Sequence, residues 1–195
     1  VPTPRDELIN ALLAGKGDII AANLTETPER QKQVEFVTPL DNDVKELVVT
    51  GPGGPKLKNL KDLAGQSVYI SPITSYAQSL ERLNKDFTEQ GLDPVEIVHL
   101  PSAFETEDAL EMVQAGLINI TIADDYLANF WSDIFPKLKV HENLVVRDEG
   151  KVGFAIRPNS PELKAALDKF LTKYGKGSRF GNSTLRKYLK SVHWV

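Results

Sequence analysis

A chain of 195 residues with 41% hydrophobic and 26% charged residues has an ordinary globular composition, long enough for one domain or two small lobes around a real core. Its formal net charge of -4, with lysines spread rather than clustered, offers no basic field for nucleic acid, and no apolar run approaches the roughly 20 residues of a membrane span. The absence of cysteine removes disulfides, thiol catalysis and thiolate metal sites, and it fits either the cytoplasm or a bacterial periplasm.

In chain order, helical and strand patterns alternate. Thr3-Pro4-Arg5-Asp6 reads as a cap, a first-position proline and an acidic first turn. Leu8, Ile9, Leu12 and Leu13 then form one apolar face before Gly15 and Gly17. Asp18 to Ala22 is an apolar strand, expected to be buried in a sheet covered on both faces, and it opens into the polar loop Asn23-Leu24-Thr25-Glu26. Thr27-Pro28 predicts an N-cap and first helical residue, so that a short turn carries Arg30 back toward the strand end. Glu46 to Thr50 is a second strand, ended by Gly51-Pro52-Gly53-Gly54-Pro55.

A βαβαβα series follows. Val68 to Ile70 is a strand; Thr74-Ser75 starts a helix with Tyr76, Leu80, Leu83 and Phe87 on one face. Glu96 to Leu100 is the next strand; Thr106 caps a helix through Leu110 and Val113. Ile118 to Ala123 runs into Asp124-Asp125 and a helix with Tyr126, Phe130 and Trp131. This order predicts a parallel sheet with helices on its faces. Val140 to Arg147 and Lys151 to Ile156 read as two strands. A helix from Ser160-Pro161 then buries Leu163, Leu167, Phe170 and Leu171, and a last helix near Thr184 to Leu189 carries the tail His193-Trp194.

The histidines, His99, His141 and His193, follow no metal-ligand spacing. No phosphate-binding glycine loop, nucleophile elbow or zinc-protease motif occurs, and nothing in the sequence favours a glycosidase carboxylate pair, so no metal or cofactor is expected and no catalytic residue is named. The strand ends instead supply Asn23, Thr25 and Arg30, then Thr74 and Ser75, then Asp124. Hydroxyls beside a guanidinium suit an anion and a lone aspartate suits an ammonium, so together these residues fit an α-amino acid. Taken singly, Arg30 reads equally well as a solvated surface residue, and Thr74, Ser75 and Asp124 as helix caps.

Gly17 to Phe36, GDIIAANLTETPERQKQVEF, resembles the signature of extracellular solute-binding family 3, the periplasmic amino-acid-binding proteins. Leu60-Lys61-Asp62-Leu63-Ala64-Gly65, Thr74-Ser75, Asp124 and Val152-Gly153-Phe154-Ala155-Ile156 agree with it. Ile118-Asn119-Ile120-Thr121, Ala128-Asn129-Phe130-Trp131 and Tyr188-Leu189-Lys190 are similar more narrowly to solute-binding domains joined to peptidoglycan lytic transglycosylases. The resemblance implies a two-lobe α/β fold of the type 2 periplasmic-binding class, mostly parallel sheets flanked by helices. Lobe 1 would be residues 1–46 and 148–195, lobe 2 residues 47–147, with two crossing strands as hinge.

In such a fold Arg30 and the Thr74-Ser75 helix start would hold a ligand α-carboxylate, Asn23 and Thr25 would add contacts, and Asp124 would hold the α-ammonium. The ligand would be an amino acid or a muropeptide-like fragment, taken up with closure of the lobes, in a non-catalytic periplasmic domain whose parent carries a transglycosylase and is attached to the outer membrane. A free-standing receptor of an ABC transporter and an enzyme in its own right are the other classes. A start at Val1 reads as a processed or excised piece, with the family's first strand, following helix and aromatic lid residue preceding it. Lobe 1 would then be incomplete, and its bare strand edge and apolar face are expected to cause self-association.

Overall fold

The computed structural model describes residues 1–189. The described residues form two compact units, one of residues 1–43 and 149–189, the other of residues 44–148. Glu46 and Asp124 fall in the same unit.

In the first unit, α1 (Leu8–Leu13) lies on β1 (Ile19–Thr25), and Leu12 packs with Ile20, Leu24, Val34 and Ala155. Leu13, expected on this face, is exposed, and Ala11 is buried in its place. Strand β1 runs three residues beyond the apolar stretch because its ladder to β7 (Lys139–Ile156) resumes at Leu24 after an irregularity between Ile20 and Leu24. Among the described residues β1 pairs with β7 alone, and Ile19 is exposed, so the strand is not the doubly covered member that its apolar sequence suggested. The short helix α2 (Pro28–Gln31) leads to β2 (Glu35–Phe36), which also pairs antiparallel with β7.

Alternation along β7 sends Ala155 toward α1 and Ile156 toward α6 (Pro161–Tyr174), where it packs with Val37 and Leu171. Phe170 points away from that core and is 49% exposed, against expectation, since Leu163, Leu167 and Leu171 already complete the i, i+4, i+8 stripe. Helix α7 (Arg179–Leu189) follows; the tail at His193-Trp194 lies outside the described residues.

The second unit is built on β3 (Asp41–Thr50), whose Leu47, Val48 and Val49 are all wholly buried. Consecutive buried residues on a strand require cover on both faces. Val48 packs with Leu80 and Phe87 of α3 (Tyr76–Glu89); Val49 packs with Leu110 of α4 (Thr106–Ala115) and Ala128 of α5 (Asp125–Ile134). β6 (Ile120–Asp124) is buried along its whole length for the same reason. It runs antiparallel to β3 and parallel to β4 (Ser67–Ile70), which runs parallel to β5 (Glu96–His99). The βαβ order thus yields the expected parallel strands β6-β4-β5, while the long strands β3 and β7 introduce antiparallel pairing.

Two boundaries differ from the sequence reading. Glu105, not Thr106, caps α4, through a box in which Glu105 receives the backbone N–H at Asp108 and the Asp108 side chain receives that of Glu105. The Asp148-Glu149-Gly150 segment, read as a break, continues β7 with Glu149 at φ 51°, so that one strand replaces two.

Candidate functional site

At the end of β1 the local sequence does what its capping chemistry dictates. Thr27, 2% exposed, adopts extended backbone angles and accepts the Arg30 N–H through its side chain at 3.4 Å; Pro28 occupies the first helical position. One turn later the Arg30 guanidinium folds back, and its Nη1 donates to the Thr25 carbonyl at 2.7 Å. Thr25 is itself buried. The structure therefore joins Thr25 and Arg30 in one corner with an oriented guanidinium. Asn23 stands apart on the exposed side of the strand at φ 45°, a left-handed conformation that asparagine tolerates better than most residues.

The second group is deeper. Asp124 ends β6 and is 5% exposed; the ladder sets it opposite Glu46 of β3, which is wholly buried. Arg147 of β7 brings its Nη2 to 2.9 Å from Glu46 Oε1, close enough for an ion pair though outside hydrogen-bond alignment. Ser75 donates its hydroxyl to the same Glu46 Oε1 at 2.7 Å. The Asp124 N–H donates to the Tyr76 hydroxyl at 3.0 Å, and Tyr76, wholly enclosed, is held protonated chiefly by burial. Asp124 Oδ1 and Glu46 Oε2 are buried without a hydrogen-bond partner.

Two carboxylates facing one guanidinium leave a negative charge uncompensated in a desolvated place. The proton affinity of Asp124 responds: its pKa is pushed up to about 7, first by burial and then by Glu46, against the opposing pull of Arg147 and a hydrogen bond from Tyr126. A carboxyl poised there can take a proton or receive an ammonium.

None of the three residues that read singly as caps acts as one. Ser75 and Asp124 occupy N-cap positions without a side-chain capping bond, and the Thr74 hydroxyl donates to the Ser71 carbonyl at 2.8 Å. Ser75 and Asp124 are brought together through Glu46; Thr74 stays in the turn before α3. Sequence reasoning did not single out Glu46 or Arg147. The available signal was a charge at one end of each apolar run, Glu46 before Leu47-Val48-Val49 and Arg147 after Leu144-Val145-Val146. Of the histidines, His141 is buried with Nε2 2.9 Å from Thr50 Oγ1, and burial lowers its pKa; His99 is exposed, and His193 lies outside the described residues.

The chain has a mixed α/β fold with an unclosed sheet flanked by helices. The profile of the bacterial extracellular solute-binding proteins, family 3, matches residues 1–189, and the chain belongs to that family. It is 27% identical over 189 residues to the membrane-bound lytic murein transglycosylase F of Desulfosudis oleivorans, a match covering 96% of this chain and 40% of that protein. The corresponding protein of a Shewanella species is 28% identical over 208 residues, covering 99% and 41%. The chain thus spans about two fifths of the length of these relatives.

Among solved structures, an ancestral arginine-binding protein bound to arginine superposes with a TM-score of 0.78 at 24% identity, over 96% of this chain and 78% of that one. A binding component of an ABC transporter from Wolinella succinogenes, complexed with lysine, gives 0.80 at 23%, over 100% and 79%. No described helix is long and apolar enough to cross a membrane.

Proposed function

We propose that this solute-binding domain recognises an amino acid or a muropeptide-like fragment without transforming it, and regulates a lytic murein transglycosylase in the periplasm whose parent chain is attached to the outer membrane. The observation that carries the ligand class is the buried Asp124 carboxyl with an unpartnered Oδ1 beside Glu46, a receptor for a cationic group. In the first unit, the Arg30 guanidinium, seated on the Thr25 carbonyl, offers the complementary chemistry for a carboxylate; Asn23, Thr74 and Ser75 are proposed to add contacts. An α-amino acid, and the peptide stem of a muropeptide, carry both groups. The regulatory role is supported by the near-complete coverage of this chain in transglycosylase relatives that are themselves more than twice as long.

Mass spectrometry of small molecules released from the purified protein tests the ligand class; a captured ligand lacking an amino group overturns it. The second reading is a free-standing receptor for an amino-acid ABC transporter, supported by solved neighbours of that description at a TM-score of 0.78. The length of the gene product separates the two, because the regulatory reading requires a transglycosylase domain in the same chain.

A further inference from the structure

We propose that Glu46 and Arg147 are positioning residues for the cation receptor at Asp124, and that a ligand ammonium enters there in exchange for a proton. The inference rests on the amino-acid reading above and goes beyond it by naming what sets the charge of the receptor. Its basis is geometric. Strand register fixes Glu46 directly opposite Asp124, and both side chains are almost wholly removed from water. Ser75 and Arg147 both lie on Oε1 of Glu46, at 2.7 and 2.9 Å; Oε2 is left buried without a hydrogen-bond partner, as is Asp124 Oδ1. Two facing carboxyl groups with one guanidinium cannot both stay ionised at little cost in a desolvated site.

The charged and titratable groups against Asp124 are Glu46 on β3, Arg147 on β7, Tyr76 on α3, and Asp125 and Tyr126 on α5. Of these, Glu46 acts most strongly to keep a proton on Asp124, and Arg147 is the chief opposing charge. Arg147 therefore offsets Glu46 without cancelling it. The exchange balances: protonated Asp124 and a ligand R–NH3+ give the carboxylate–ammonium pair and one proton released to solvent. The O–H bond of the acid breaks, and no other covalent bond changes.

The experiment uses the whole chain with L-glutamine, L-lysine and L-arginine as probes. Calorimetry at pH 7 in phosphate and in Tris, buffers with different ionisation heats, should show release of about half a proton per bound probe. Affinity should fall about tenfold from pH 8 to pH 6. In Glu46→Gln the fall should move to lower pH, so that at pH 6 this variant binds more tightly than the wild type. A residue with a merely structural role would weaken binding at every pH.

The double variant Glu46→Gln/Arg147→Gln, which replaces the ion pair by two amides, should shift the same way, since Glu46 outweighs Arg147. A 13C titration of the Asp124 carboxyl carbon without ligand reads the same shift directly. A bound probe with no proton release, or an Asp124 midpoint unmoved in both variants, overturns the proposal. Failure of every probe to bind, with Asp124 titrating as expected, overturns the exchange together with the amino-acid reading. A bound probe without proton release overturns the exchange and leaves that reading standing.

Discussion

Replacing Asp124 by asparagine should stabilise the second unit, and the gain should grow with pH over a defined window. The group's folded pKa of about 7 lies above its ordinary value of 3.8. A raised folded pKa means that the stability tied to the protonated acid is fully present below 3.8 and is lost as pH rises toward 7. Between these limits the native state holds a proton that the unfolded chain has released, so the loss is about 1.4 kcal/mol per pH unit. It reaches about 4 kcal/mol above pH 7, an order of magnitude fitting a buried acid facing a second one. The asparagine amide has no such proton to lose. The advantage of Asp124→Asn over the wild type should therefore increase by about 2 kcal/mol from pH 5 to pH 7 and level off above that. Urea unfolding followed by Trp131 fluorescence, in a Trp194→Phe background, measures the difference at each pH; contributions of other acids, such as the Asp168 carboxyl held down mainly by the Thr38 N–H, cancel between the two proteins. A constant difference from pH 5 to pH 7 would refute the reasoning, since it would mean that Asp124 titrates alike in the folded and unfolded chain.

Arg30→Ala should weaken a carboxylate ligand by roughly 2–5 kcal/mol, because the anion keeps its desolvation cost without its partner; a loss below about tenfold in calorimetry would remove Arg30 from the site. Phe87, 2% exposed between β3 and α3, should cost about 3–5 kcal/mol as Phe87→Ala, read as a fall in the urea midpoint with unchanged slope. A Cβ at Gly51 would collide with the backbone carbonyl of Val113, which cannot swing aside as a side-chain tip would. Gly51→Ala should therefore lower the thermal midpoint measurably, whereas Gly17→Ala, with open space around its Cα, should not.

Much of this fold was legible because helices and buried strands write their partners into their spacing. The face Tyr76, Leu80, Leu83, Phe87 predicts the α3 contact with the sheet, and Thr27-Pro28 predicts the turn that returns Arg30 to Thr25. What failed depended on pairing. Asn23 ended the apolar run, yet the β1 ladder resumed beyond it against β7; Asp148-Glu149-Gly150 looked like a turn, yet the strand passed through. The site divides in the same way. Asp124 and Ser75 were visible as strand-end and helix-start residues. Glu46 was not, because its bond to Ser75 spans 29 residues of sequence and its place opposite Asp124 exists only once β3 and β6 are in register. One local clue was present: Glu46 lies two residues before Val48, in the phase of the strand that faces the core. A branched aliphatic residue there would continue the pattern of Leu47 to Val49 and remove the repulsion that raises Asp124. The chain instead keeps two acids face to face where burial makes each costly. A stability criterion alone disfavours that arrangement, whereas the proposed receptor, which gives up a proton as an ammonium arrives, makes use of it. The residue that breaks the strand pattern is therefore the one most informative about the site.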